Sequence, residues 1–335
     1  MIYESEEGLI KETVPRKAKY FLAAVALVFL GIVSFFAYHL FVGPFQFKIS
    51  VDTKLGGVVI EVEPGLGASA LGGSLKDAGV VSSRQIFNLV AALKGDTKRM
   101  VAGHYLFKSP AGILEVEGRI AKGDFGLPLE KLTFPEGFTV RQVAERLEAN
   151  LSFFNKVKFL AVASTSEGYL FPDTYFFLPN DDEAAIYKKM RDVYAEKAAG
   201  LFGSSTQSES DIIKMASVLE KEVRSPEDMK MVSGIFWRRM KAGIALQADA
   251  TLAYERGKTS AELTAEDLKK DSPYNSYTRR GLPPTPICNP GLNAINAALL
   301  PEDSPYLYFL TDKDGKVYYA KTFEEHKKNK TRYLK

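Results

Sequence analysis

The sequence predicts an α+β protein in which a single apolar helix near the N-terminus precedes two domains. Three observations carry this expectation. The 335 residues correspond to roughly two domains at about 150 residues each. The apolar residues are concentrated early, in an uncharged run from Tyr20 to Val42. After that run, short alternating and helical stretches follow one another in the order β-α-α-β, and a longer mixed helix–strand region comes next.

Composition narrows the chemistry. Hydrophobic residues make up 46% and charged residues 25% of the chain, which excludes a wholly disordered protein. With 44 basic and 41 acidic residues the net charge is +3, so no nucleic-acid partner is expected. Cys288 is the one cysteine, which excludes an intrachain disulfide framework and any multi-cysteine metal cluster. His39, His104 and His326 are scattered and form no HExxH pair. The expectation is a protein without cofactor or metal.

The Tyr20–Val42 run, YFLAAVALVFLGIVSFFAYHLFV, holds no Lys, Arg, Asp or Glu. As a helix it would extend about 34 Å, enough to cross a hydrocarbon core of about 30 Å. Arg16, Lys17 and Lys19 precede it, and Gly43-Pro44 closes it. The positive-inside rule then assigns residues 1–19 to the cytoplasm and the rest to the outside, with the lipid bilayer around 20–42. A cleaved signal peptide is the rival, but its apolar region is shorter and ends in small residues. Here the run ends in Tyr38, Leu40 and Phe41.

Past the anchor, Lys48–Ile49–Val51 and Val58–Ile60–Val62 alternate like strands around a Gly56-Gly57 turn. Leu71, Leu75 and Ala78 give helical spacing that ends at Gly79. Ser83 opens a second helix with Ile86, Phe87, Val90 and Leu93 on one face and Gly95 as its stop. Gly103–Phe107 reads as a returning strand. This order, together with the Val62-Glu63-Pro64-Gly65 turn, resembles a LysM-like module, which implies binding of N-acetylglucosamine-containing glycans. A small structural spacer is the alternative. Pro110–Lys122 reads as a linking helix ended by Gly123, so the module is expected over 43–123 and a second domain over 124–335. An echo of the module follows, because Val62, Gly65, Leu71 and Leu75 align with Phe134, Gly137, Val143 and Leu147, and Thr139 caps the new helix.

The chemistry is expected in Asp211–Val223, DIIKMASVLEKEV. Ile212, Ala216, Leu219 and Val223 form one apolar stripe. Glu220 and Glu222 point about 200° apart, on opposite flanks of that stripe. Glu222 falls between the directions of Met215 and Val218, where desolvation favours the neutral acid. A protonated carboxyl at neutral pH is what a general acid requires. A Glu beside a core stripe is also a common solvated edge residue, so the surroundings decide. Ser225-Pro226-Glu227-Asp228 starts another helix, burying Val232, Ile235, Phe236 and Met240 and stopping at Gly243. Leu246–Tyr254 and Ser272–Thr278 then supply Gln, Asp, Asn and Tyr. Such side chains suit a sugar cleft, where rings stack on sugar faces and amides and carboxylates bond hydroxyls.

MASVLEKEV, LQADATLAY, SPYNSYTRRGLPPTPICNPGL, EGYLFPDTYFF and PYLYFL occur together in this chain. Their combination closely resembles the MltG/YceG-like family of endolytic murein transglycosylases over about residues 20–335. The resemblance implies a single N-terminal transmembrane helix, a LysM-like module and a mixed α/β YceG-like catalytic domain in the bacterial inner (plasma) membrane. It implies cleavage of MurNAc–β-1,4–GlcNAc bonds in peptidoglycan glycan strands to leave 1,6-anhydro-MurNAc ends, and partners among peptidoglycan synthases. The catalytic role carries onto Glu222 and cleft-lining roles onto Glu220, Gln247, Asp249, Tyr254, Asn275 and Tyr277. Ala250 stands where the family often has Pro, and Ala248 where it often has Ser or Thr.

One carboxyl would suffice for that reaction, because the substrate's own C6 hydroxyl attacks C1 and no water needs activating. Two alternatives stay open on the residues: a non-catalytic peptidoglycan-binding scaffold, and a hydrolytic muramidase with Asp173 or Asp249 as second carboxylate. Cys288 lies in a Pro-rich loop with no nearby His in sequence and reads as a packed side chain. Late strands are expected at Tyr306–Thr311 and Lys316–Ala320 around an Asp312–Gly315 turn.

Overall fold

The computed structural model describes residues 16–44, 46–49, 52 and 55–334. The chain divides into two compact units between Leu127 and Pro128.

The first unit opens with helix α1, Arg16–Phe41, which has no buried residue. Its 26 residues would extend about 39 Å. The turn after it is packed backbone to backbone on the loop before a later helix: a Cβ on Gly112 would stand 2.6 Å from the Leu40 carbonyl, and one on Gly43 2.5 Å from the Ala111 nitrogen. Next come β1 (Val58–Val62), α2 (Ala68–Asp77), α3 (Arg84–Lys94), β2 (Gly103–Phe107) and α4 (Ile113–Lys122). β1 and β2 pair antiparallel with Ile60 opposite Tyr105. Their inner faces and the buried stripes of α2, α3 and α4 enclose one core that includes Leu71, Leu75, Phe87, Tyr105, Phe107 and Ile113.

Two expectations here are corrected. Lys48 and Ile49 form a bend, not a strand, and Val51 lies outside the described residues. The partner of β1 is β2, and Asp52 touches Gly57 only as an isolated bridge. Leu93 is 79% exposed, and Ala91 takes the place on the buried face of α3. The apolar character of Leu93 fits the stripe, but the buried face of α3 ends at Val90 and Ala91. Residues 1–15 of the expected cytoplasmic tail also lie outside the described residues.

The second unit holds two cores. The first is built by β3 (Glu130–Thr133), α5 (Val140–Asn150), α6 (Lys156–Ala163), β4 (Thr174–Phe177) and α7 (Glu183–Lys197). β3 and β4 pair antiparallel. The echo seen in sequence is a structural one: β1 and β3 each lead through a left-handed glycine, Gly65 (φ 82°) and Gly137 (φ 81°), into an amphipathic helix. Thr139 caps α5 in a capping box with Gln142.

The second core is helical: α8 (Glu209–Glu222), α9 (Pro226–Lys241), α10 (Asp249–Arg256), the short α11 (Ala265–Lys269) and α12 (Leu292–Leu299). Ile212, Ile213, Ala216 and Leu219 of α8 pack with Val232 and Phe236 of α9 and Ile295 of α12. The chain ends with the hairpin β5 (Tyr308–Thr311) and β6 (Val317–Ala320) and with α13 (Phe323–Tyr333). The segment 246–254, read from sequence as a cleft-lining stretch, folds largely as α10, with Asp249 as its first residue.

Candidate active site

Helix α8 sends its two glutamates to different neighbours. Glu222 is its last residue, and Asp249 and Ala250 at the start of α10 meet its carboxyl. The Ala250 N–H, one of the helix-start donors without an intrahelical partner, donates to the Glu222 carboxylate. Part of the residue surface reaches solvent while the carboxyl itself is enclosed. Burial pushes Glu222 up to about 7, the adjacent Asp249 charge pushes the same way, and the Ala250 N–H opposes them.

Asp249 is held separately. Its Oδ1 accepts a 2.5 Å hydrogen bond from the Tyr277 hydroxyl, and the N-terminus of α10 favours its negative charge. Burial and Asp249 both drive the Tyr277 phenol far above its ordinary range, so it stays a donor. The preceding Gln247 has φ 55°, the one positive φ at a non-glycine residue among the described residues. That conformation costs on the order of 1–3 kcal/mol and persists only where contacts impose it. Here the Gln247 N–H donates to the Ser276 carbonyl at 2.9 Å, and Gln247 Oε1 accepts from Arg239 Nη2 at 2.7 Å.

Glu220, by contrast, accepts the N–H of Gly291 at 3.0 Å, at the start of α12. Burial raises it, with Glu136 adding to the effect and Lys221 opposing. Tyr254, on another face of α10, donates at 3.1 Å to Glu167. Asn275 is fully buried and engaged inside its own loop: its amide donates to the Leu268 and Lys270 carbonyls, and its Oδ1 accepts the Tyr277 N–H at 2.9 Å. The structure therefore groups Glu222, Asp249, Tyr277 and Gln247. Glu220 serves the α12 terminus, Tyr254 a separate network, and Asn275 the backbone that presents Tyr277.

The model for the YceG-like family matches residues 60–332. The chain belongs to the YceG-like family. It is 29% identical over 310 residues to an endolytic murein transglycosylase of Bacillus subtilis, covering 83% of this chain and 85% of the relative. It is also 29% identical over 352 residues to an endolytic murein transglycosylase of Streptococcus pneumoniae, covering 90% of this chain but only 63% of that protein. A crystal structure of a yceG-like protein from Listeria monocytogenes superposes with a TM-score of 0.55 at 32% identity, covering 81% of this chain and 98% of that one.

Arg239, which bonds Gln247 in this YceG-like chain, and Glu167, in the separate Tyr254 network, escaped the sequence reading. Arg239 is 5% exposed and stands in phase with Val232, Ile235 and Phe236 on the buried face of α9. An arginine in an apolar stripe was the available signal. Glu167, 7% exposed, accepts the Val140 N–H through both oxygens at 3.0 and 3.2 Å and is pushed up to about 7 by burial. Its neighbours in sequence, Glu-Gly before an apolar run, carry little sign of this.

Other candidates fall away on chemistry. Asp173 is paired with Lys197 at 2.6 Å, which holds it below the usual carboxylate range. Cys288 is fully buried, with its thiol donating to the Ser217 carbonyl at 3.3 Å, and burial raises it well above its ordinary value. Among the described residues, no three His, Cys, Asp or Glu side chains gather as a metal ion would require.

Proposed function

We propose that this YceG-like chain is an endolytic murein transglycosylase with Glu222 as its catalytic acid and base. The observation that carries this reading is the enclosed Glu222 carboxyl, raised to about 7 beside Asp249. Such a group holds a proton at neutral pH and can both give and take one. Relatives that bear the name endolytic murein transglycosylase support the substrate class.

In the proposed step Glu222 delivers its proton to the oxygen of the MurNAc–β-1,4–GlcNAc bond. That bond breaks as positive charge develops at C1 of MurNAc, and an ionised Asp249 offsets the charge. The C6 hydroxyl of the same sugar attacks C1 and its proton passes to the Glu222 carboxylate. The products are a free 4-hydroxyl and a 1,6-anhydro-MurNAc end, and Glu222 is again protonated. Intramolecular attack benefits from proximity, with no water to activate.

The β-α-α-β element of the first unit is read as a LysM-like glycan-binding module that holds the strand. Helix α1, unburied, with Arg16, Lys17 and Lys19 in its first turn and an uncharged apolar run after them, is read as a single membrane anchor with the second unit outside the cytoplasm.

The carboxylate pair also favours one specific second reading, a muramidase in which Asp249 activates water. Mass spectrometry of fragments released from purified peptidoglycan separates the two, since transglycosylation leaves anhydro ends and hydrolysis reducing ends. Glu222→Gln should release no fragments while keeping the melting temperature of the parent. Undiminished cleavage by that variant would overturn the assignment, and absence of cleavage by the parent would leave the scaffold reading standing.

A further inference from the structure

Helix α1 ends inside the first unit, without a flexible connector. His39 Nδ1 and the Ser82 hydroxyl share a 2.5 Å hydrogen bond. Leu40 packs against the core of that unit, and α1 lies against α4. The Val42 N–H still bonds the Tyr38 carbonyl at 2.8 Å, and the Lys48 N–H bonds the Ala78 carbonyl at 2.9 Å. Gly43 and Gly112 let backbone meet backbone here. A Cβ on Gly43 would stand 2.5 Å from the Ala111 nitrogen, and one on Gly112 2.6 Å from the Leu40 carbonyl. A mobile linker is an unpacked coil, whereas this junction is packed as part of the fold.

The length of α1 sets the depth of that junction in a bilayer. From Tyr20 to Tyr38 the uncharged stretch rises about 28 Å, close to the roughly 30 Å of a hydrocarbon core. His39 then stands where hydrocarbon gives way to headgroups, and Ser82 supplies the partner that an imidazole there requires. Tyr38, 47% exposed, is a residue suited to that interface. The hydrogen bond brings the turn at Ser82 and Ser83 to the same depth, and the Gly112 contact brings the 110–112 loop. Lys108, exposed just before that loop, offers a cation to lipid phosphates. We propose that the first unit is seated on the headgroup layer away from the cytoplasm, through the turn at Ser82 and Ser83 and the 110–112 loop. The lipid surface is then a partner of the unit itself, and α1 holds the unit at one height. This rests on the reading of α1 as a membrane anchor. Val58 pairs with Phe107 at the end of the β1–β2 ladder next to this loop, and Val62 with Gly103 at the other end. The 63–66 turn therefore stands about 14 Å further along the strands.

The test places a dye at chosen depths in the full chain, reconstituted in phospholipid bilayers. Cys288 is fully buried, so a thiol-reactive dye marks an introduced cysteine. Four single variants are compared: Ser109→Cys beside the junction, Gln85→Cys on the first turn of α3, Glu63→Cys at the far end of β1, and Gly31→Cys inside α1. Emission is read with iodide in the water and, separately, with a nitroxide attached to the lipid headgroup. The dyes at 109 and 85 should lose most of their emission to the headgroup nitroxide, and the dye at 63 mainly to iodide. Gly112→Val puts atoms where the Leu40 carbonyl stands, and should release the dye at 109 to iodide. If that variant does not fold, the comparison of positions decides alone. Dyes at 109 and 85 that answer only to iodide, while iodide cannot reach the dye at 31, overturn the seating and leave a tethered unit. Dyes at 109 and 85 shielded from both quenchers put a second copy of the chain on this surface, and overturn it equally. A dye at 31 that iodide quenches overturns instead the anchor reading on which the seating rests.

Discussion

At the scale of the residue, the proposed acid Glu222 carries a prediction about pH. An ordinary glutamate releases its proton near 4.5, whereas Glu222 in the folded chain holds it up to about 7. Cleavage should therefore decline as pH rises through about 7. The same displacement bears on stability. Between 4.5 and 7 the folded chain binds the extra proton, so the contribution is fully present below 4.5 and lost as pH rises through 7. Urea unfolding at pH 4.5 and pH 7.5 should show a smaller loss of stability in Glu222→Gln than in the parent. Glu167, raised for the same reason, leaves a residual slope of the same sign. A second change tests the donor to Glu222. Ala250→Pro deletes the N–H that stabilises the charged form, and should carry the basic limb of the activity profile to higher pH. An unmoved basic limb would count against that hydrogen bond.

At the scale of the element, the Glu222 site depends on how α8 meets α10, and the Tyr254 network on the loop carrying Glu167. Gly168 has φ 89°, and a Cβ there would lie 2.6 Å from Pro286 and 2.7 Å from Ile213. Gly168→Ala combines a left-handed backbone with an overpacked contact, and should cost about 1–3 kcal/mol in urea unfolding. The helices themselves were legible because their ends carry local signals. Ser83, Thr139 and Ser225 each accept a backbone N–H at a helix start, and Gly95 and Gly123 close α3 and α4 in the left-handed conformation. The Lys48–Val51 alternation misled for a physical reason. Alternation marks a chain able to pair, but it does not choose the partner: β1 pairs with β2, 41 residues apart at Val62↔Gly103 and 49 at Val58↔Phe107. The segment 246–254 differs similarly: a polar mixture reads as a loop, whereas the structure makes most of it a helix that buries Ala250, Leu252 and Ala253.

At the scale of the whole molecule, the proposed anchor and the proposed glycan-cleaving unit make a fractionation prediction. If α1 spans the bilayer, the full chain sediments with membranes and resists extraction by high salt and alkaline carbonate, yet dissolves in detergent. Release by salt alone would argue for a peripheral attachment. The exposed apolar surface of α1, with Phe21, Leu27, Phe29 and Leu30 each well over half exposed, is hard to reconcile with water around it.

The α+β class, the apolar N-terminal helix and the strand–glycine–helix echo were legible in the sequence, which also singled out Glu222 as a candidate. Each of these is written in local spacing, in caps, or in a run of composition. Tertiary structure alone decided which polar residues meet. It turned Glu220 toward α12 and Glu222 toward α10, drew Asn275 into its own loop, and brought Arg239 beside Gln247 and Tyr277. Neither burial nor the fields that shift a carboxyl are properties of neighbours in sequence. They arise only when α8, α9, α10 and the loop after α11 pack together, and that packing is what gives Glu222 surroundings different from those of Glu220.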